Sequence, residues 1–79
     1  MDRREAPTTL RRDLREVDAA IAALRGRAAS LCADADEVHP LVARAYRRRA
    51  EELALAAWVG EIVRGRTPGV LDPCGAAAA

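Results

Sequence analysis

Apolar residues recur through the first half of the chain at alternating intervals of four and three positions. The series contains nine members: Leu10, Leu14, Val17, Ile21, Leu24, Ala28, Leu31, Ala35 and Val38. This spacing is typical of an amphipathic helix with one narrow apolar seam of the coiled-coil type. It predicts a helix over about residues 9–34, which Thr8 or Thr9 would cap just after Pro7.

The second half of the chain predicts another helix of similar length. Pro40 suits the first turn of a helix, with Asp36 or His39 as the N-cap residue. We therefore expect helix 2 over about 38–64, joined to helix 1 by a turn over about 35–38. Two helices of near-equal length joined by a short turn form an antiparallel αα-hairpin.

Neither end of the chain shows helical periodicity. Residues 1–8 are expected to be a flexible N-terminus, and the hairpin is expected to occupy 9–65, with Gly65 ending helix 2. Residues 66–79 contain two prolines and close with four alanines. We expect a flexible tail there, and docking of its two large aliphatic residues onto the hairpin is the alternative.

The predicted hairpin core is formed by the large apolar residues that face the neighbouring helix. Its expected members are Leu14, Val17, Ile21, Leu24, Leu31, Val42 and Leu53. At about 100° per residue, the apolar residues in the second half of helix 2 point away from those in its first half, so helix 1 cannot cover both groups.

A partner is therefore expected on helix 2, because exposed apolar patches on small proteins mark contacts and aromatic residues favour them. The candidate interaction residues are Tyr46, Leu55, Trp58, Val59, Ile62 and Val63. The fold prediction is an all-α, coiled-coil-like two-helix hairpin completed by self-association or by a partner protein. The alternative is an apolar stripe that winds around helix 1 and leaves Trp58 half exposed.

Composition limits what so short a chain can do. It has 79 residues, of which 51% are apolar, and nineteen of these are alanine. A core this thin excludes a pocket-bearing α/β enzyme, a barrel or a sandwich. The net charge is +1, which argues against nucleic acid as a partner. No apolar run reaches the length of a membrane span, and no secretory signal is visible, so we expect a cytoplasmic protein that does not enter membranes.

Candidate chemistry is sparse. Cys32 and Cys74 are expected to be free thiols in a reducing cytosol, and an intermolecular or tail-to-hairpin disulfide is the alternative. A metal site from Cys32, Asp34, Asp36 and His39 would lack any familiar zinc spacing. Cys32 with His39 as nucleophile and base explains these residues less well than a buried helical cysteine and a helix cap. We therefore expect no enzyme activity, no metal, no cofactor and no small-molecule substrate.

The arginines at 47–49 form the densest cluster of positive charge. Consecutive helical residues point about 100° apart, so the three side chains fan around the helix, and Glu51 and Glu52 follow at ion-pairing distance along the chain. A solvated, salt-bridged surface is expected. Contact with phosphate or with an acidic partner is the alternative.

Two stretches of the sequence resemble a known family. They are LREVDAAIAAL at 14–24 and RAEELALAAWVGEIV at 49–63, the second followed closely by Gly65. They are similar to the small cytoplasmic E component of type III secretion needles, a family of short helical hairpins. The resemblance implies a co-chaperone that acts with a helical-repeat chaperone to keep the needle subunit monomeric in the cytosol.

Two other functions are compatible with the same pattern. One is a homodimeric four-helix bundle with a regulatory role. The other is a small helical structural subunit of a secretion or phage assembly.

Overall fold

Two long helices make up most of the structure. The computed structural model describes residues 5–75, in which α1 spans Glu5–Ala35 and α2 spans Pro40–Val63. The helices pack side by side and antiparallel, and the chain forms a rod of 56 × 20 × 13 Å. No strand occurs in this part of the chain. The predicted all-α hairpin is confirmed.

The start of α1 differs from the sequence prediction. The helix begins at Glu5 instead of about residue 9, and it continues through Thr8 and Thr9, which were expected to cap it. Pro7 is tolerated because it lies in the first turn, where backbone N–H groups have no partner within the helix. The remainder of the expected flexible N-terminus, residues 1–4, lies outside the described residues.

A short turn at 36–39 leads into α2. His39 is the N-cap: its Nδ1 atom accepts a hydrogen bond from the backbone N–H of Leu41 at 3.1 Å. Pro40 follows as the first helical residue, where its fixed φ fits and its missing N–H costs nothing. Of the two caps considered from the sequence, the structure uses His39.

The end of α2 turns the chain back towards α1. Gly65 has a φ of 75°, and its N–H donates to the carbonyl oxygen of Ile62 at 2.8 Å. The N–H of Arg66 donates to the carbonyl oxygen of Glu61 at 2.9 Å. These paired bonds form a Schellman motif, which requires the left-handed conformation that glycine adopts without strain. The sequence prediction that Gly65 ends this helix is confirmed.

Alanine dominates the contact between the helices. Among residues 10–75, eight apolar residues are buried and two of them are larger than alanine: Ile21, Ala28, Ala35, Ala43, Ala50, Leu53, Ala54 and Ala57. On each helix the buried positions include a series with an interval of seven residues. Small residues at one position of every heptad let two helices approach closely along their whole length.

The expected core is only partly the observed one. Ile21 and Leu53 are buried, whereas the other α1 members are half-buried: Leu14, Val17, Leu24 and Leu31. Val42 was expected in the core and is instead 41% exposed. The correction has a simple cause: Ala43 occupies the seam, because a smaller side chain permits the close approach, and Val42 is rotated by about 100° towards solvent.

Candidate protein-binding face and return segment

Large aliphatic side chains lie on the side of α2 that points away from α1. Leu55 is 51% exposed, Val59 49%, Ile62 46% and Val63 77%. At about 100° per residue, these four residues lie roughly opposite Ala50 and the other seam alanines. We call this surface the outer face of α2.

The outer face is unusual because the larger apolar residues are outside and the smaller ones inside. A helix that packs only within its own chain normally buries its Leu, Ile and Val residues. Among residues 10–35 of α1, Leu10 is the one large aliphatic residue that is exposed, at 58%. Most of the exposed aliphatic surface of the hairpin therefore lies on α2.

The two aromatic interaction candidates lie elsewhere. Tyr46 is half-buried and falls on the seam side of α2, three residues after Ala43 and four before Ala50. Trp58 is also half-buried, about a quarter turn from Val59 around the helix. The structure thus brings together Leu55, Val59, Ile62 and Val63 of the six candidates. Trp58 borders that surface, whereas Tyr46 lies on the side of α2 that packs on α1 and is not part of it.

Residues 66–75, which we call the return segment, run back along the hairpin. Three α1 residues at intervals of seven hold this part of the chain: Asp18, Arg25 and Cys32. Asp18 pairs with Arg64 at 2.8 Å and with Arg66 at 2.6 Å. The expectation of a flexible tail is therefore wrong for residues 66–75, which these contacts hold against the hairpin. Residues 76–79 lie outside the described part of the chain.

Arg25 is the middle contact of the return segment. Its Nε donates to Oε1 of Glu61 at 2.9 Å, and its Nη1 donates to the carbonyl oxygen of Val70. The other oxygen of Glu61 accepts from the backbone N–H of Gly69 at 2.8 Å. One ion pair between the helices thus also holds the backbone of the return segment, and the side chain of Glu61 is only 12% exposed.

The third contact is covalent. Cys32 and Cys74 form a disulfide with a Cα–Cα distance of 5.4 Å, and the described residues contain no free cysteine. Cys74 packs with Leu24 and Leu31 against the buried cluster around Ala28. The expectation of two free thiols is wrong for this structure. The return segment brings Cys74 beside α1, and the prolines and glycines of that segment did not indicate such an approach.

These ion pairs shift the pKa values of the residues that form them. Hydrogen bonds from Arg64, with the charges of Arg64 and Arg66, hold the pKa of Asp18 below its ordinary value of 3.8. The hydrogen bond from Arg25, followed by the one from Gly69, holds the pKa of Glu61 below its ordinary value of 4.5. The hydrogen bond to Asp18 raises the pKa of Arg64. Both carboxylates therefore stay ionised to a lower pH than they would without these contacts.

The cluster at 47–49 is partly paired. Arg47 lies 3.4 Å from Asp36, and Arg49 lies 3.0 Å from Glu52. These exposed pairs each contribute about 0–1 kcal/mol. Arg48 makes no ion pair with the side chains of residues 10–75, and it lies on the same side of α2 as Leu41 and Leu55.

The structure offers little for chemistry at a small-molecule site. The Sγ atom of Cys32 is bonded to Cys74, so it is not a thiolate nucleophile or ligand in this state. Within the described residues, no three His, Cys, Asp or Glu side chains are grouped as metal ligands would be. In the same range, no helix combines the length and apolarity that crossing a bilayer requires.

Comparisons with protein-family models, with curated proteins and with solved structures give no match for this chain.

Proposed function

We propose that this chain is a non-enzymatic helical hairpin that binds another protein through the outer face of α2. The observation that carries the proposal is the inversion of side-chain size on that helix: alanines fill the seam, while Leu55, Val59, Ile62 and Val63 are about half exposed or more. Burying the exposed part of each aliphatic side chain would contribute about 1 kcal/mol. A contiguous surface of this kind is a contact surface in small proteins.

The packing of α2 on α1 supports this role. The outer face lies on a helix that is fixed to α1 by a continuous alanine seam and, at its C-terminal end, by the Asp18–Arg64 pair. A preformed helix loses little conformational entropy on binding, so most of the apolar burial is available for affinity. Helix-in-groove recognition uses anchors at i, i+4 and i+7, the spacing of Leu55, Val59 and Ile62.

The specific form of the proposal follows the resemblance to the type III secretion E component. In that form the partners are a helical-repeat chaperone and the needle subunit, and the complex forms in the cytoplasm. The Cys32–Cys74 disulfide bears on this form, because a reducing cytosol keeps most protein thiols reduced. The cytoplasmic co-chaperone must therefore bind its partners with both cysteines as thiols.

The test is co-expression of the tagged chain with the helical-repeat chaperone and needle subunit of the same source, followed by affinity capture under reducing conditions. The wild-type chain is expected to retain both proteins, and the Val59→Asp/Ile62→Asp variant neither. Ala19→Asp/Ala23→Asp on the opposite side of the hairpin is the matched control and should bind as wild type. Circular dichroism is used to check that all three chains remain helical.

Two results would overturn the proposal at different levels. If the wild type captures neither protein, the co-chaperone form is wrong. If a protein captured by the wild type is equally well retained by Val59→Asp/Ile62→Asp, the outer face is not the binding surface.

A further inference from the structure

The side of α2 that bears the outer face carries a second heptad stripe along the length of the helix, and α1 does not cover it. Its positions alternate in spacing between four and three residues, and every member is exposed: Leu41, Ala45, Arg48, Glu52, Leu55, Val59 and Ile62. This is the periodicity of a coiled-coil seam. The seam that packs on α1 has the same periodicity about half a turn away, so α2 is patterned to pack against two helices at once.

We propose that the partner helix is α2 of a second copy, packed antiparallel about a two-fold axis near residue 50. The inference rests on the proposed function of the outer face as a protein-binding surface. It implies that a second copy and any other protein compete for Leu55, Val59 and Ile62. In this register Arg48 of each copy faces Glu52 of the other. Leu41 faces Val59, and Ala45 faces Leu55, each contact occurring twice by symmetry.

Charge selects the antiparallel direction. A parallel pair in register would set Arg48 against Arg48 and Glu52 against Glu52, and juxtaposed like charges at an interface are strongly unfavourable. The antiparallel pair converts both contacts into Arg–Glu pairs. Because Arg48 has no ion-pair partner among the side chains of residues 10–75, its charge is available for this contact.

The same two residues also select the register. A slide of one heptad would place Arg48 against Val59 and Glu52 against Leu55, which would bury charges on apolar side chains without partners. In the proposed register, charged positions meet at the centre, and apolar positions meet on both sides of it. Polar residues within an apolar seam fix register in this manner in coiled coils.

Side-chain size fits as well. A groove on the same side of α2 is lined by residues from Leu41 to Glu52, and Ala45, with its small side chain, is one of them. The register places Leu55 of the second copy over Ala45, a large residue against a small one, as in knobs-into-holes packing.

Two hairpins paired through α2 would form a four-helix bundle, in which the return segments lie on α1 and leave the new seam free.

Charge reversal tests the proposal by sedimentation equilibrium of the full-length, disulfide-bonded chain. The wild type is expected to sediment at twice 8.5 kDa. Arg48→Glu and Glu52→Arg should each weaken the dimer by about tenfold or more, since each places like charges together twice. The double variant Arg48→Glu/Glu52→Arg should regain the dimer, and an equimolar mixture of the two single variants should form a heterodimer. Arg12→Glu on α1 is the control for charge alone, and circular dichroism checks that each variant is folded.

The outcomes separate this inference from the proposed function. A wild type that stays monomeric into the millimolar range overturns self-association, while capture of another protein through Val59 and Ile62 would still support the binding face. A dimer that is indifferent to both single reversals overturns the antiparallel register. Loss in the single variants with recovery in the double variant is the supporting result.

Discussion

The side chain of Ile21 lies directly over Gly60, so that a Cβ atom added at residue 60 would lie 3.0 Å from Cγ1 and 3.3 Å from Cδ1 of Ile21. Ile21 is the largest buried residue on α1 and is 7% exposed. The absence of a side chain at residue 60 therefore makes room for it between the helices. Towards the turn, the alanines of the seam permit the same close approach.

Gly60→Ala is expected to lower the stability of the hairpin, although alanine favours a helix by about 1 kcal/mol over glycine. The new methyl group would be forced against Ile21, and overpacking of a close contact costs about 1–3 kcal/mol. Gly26→Ala is the matched control, because nothing lies within 4 Å of a Cβ added there. It should raise stability by about 1 kcal/mol. Urea denaturation measures both, and equal stabilisation of the two variants would show that Ile21 does not rest on Gly60.

Ala28→Leu tests the alanine seam itself. Ala28 is 1% exposed and packs against Ala50 and Leu53. A leucine there would push the helices apart or distort side chains, at a cost of about 1–3 kcal/mol or more. Ala19→Leu, on the exposed side of α1, makes the same chemical change and should alter the free energy of unfolding by less than about 0.5 kcal/mol. Similar losses in both variants would argue against close packing along the seam.

The hairpin could be predicted from the sequence because its signals are local. The four-and-three spacing along α1, Pro40 after a capping residue and Gly65 at the end of α2 are each read within one or two turns. The side of α2 that packs on α1 could not be predicted in the same way. Leu41, Val42 and Ala43 are all apolar, and preference for the larger residues placed Val42 in the core. Close helix approach selects Ala43, and that depends on what α1 presents opposite it.

The return segment left no local signal, because its contacts join residues far apart in sequence. Prolines and glycines in the tail fitted flexibility equally well. One clue was present in α1, where Asp18, Arg25 and Cys32 fall at intervals of seven residues. Complementary groups lie in the last turn of α2 and after it, at Glu61, Arg64, Arg66 and Cys74. Matching these two series would have suggested that the tail returns along α1.

Cys74→Ser is expected to lower the free energy of unfolding by about 2–4 kcal/mol. The disulfide joins residues 42 positions apart, and loop-closure entropy for that length corresponds to about 4 kcal/mol. This is a large share of the roughly 4–12 kcal/mol typical of a chain of this size. Thermal and urea unfolding of oxidised wild type and variant measure the difference.

The double variant Cys32→Ser/Cys74→Ser provides the control for the loss of the bond. It should be about as stable as either single variant, because each single change already removes the whole disulfide. Reduction of the wild type with a dithiol should lower its stability by the same amount. In that reaction the dithiol is oxidised to its own disulfide while Cys32 and Cys74 become thiols. If the melting temperature of the wild type is unchanged by reduction, the bond does not hold the return segment to the hairpin.

Acid is expected to weaken the ion pairs at Asp18 and Glu61. Both carboxyl groups have folded-state pKa values below their ordinary 3.8 and 4.5. A group whose pKa is lowered by folding stabilises the folded state above its unfolded pKa, and that stabilisation is lost as pH falls through the folded pKa. The loss should therefore begin as pH falls below about 4.5 and be complete once pH is below both lowered values.

Asp18→Asn/Glu61→Gln isolates these two groups from the remaining carboxylates. At neutral pH the variant should unfold at a lower urea concentration than wild type, because two charge-assisted contacts are lost. As pH falls, the two unfolding midpoints should converge, since protonation makes the same change in the wild type. The disulfide remains intact in both proteins, so the comparison reports the ion pairs alone. Midpoints that differ by a constant amount from neutral to strongly acidic pH would contradict the assignment of the acid-sensitive contacts to Asp18 and Glu61.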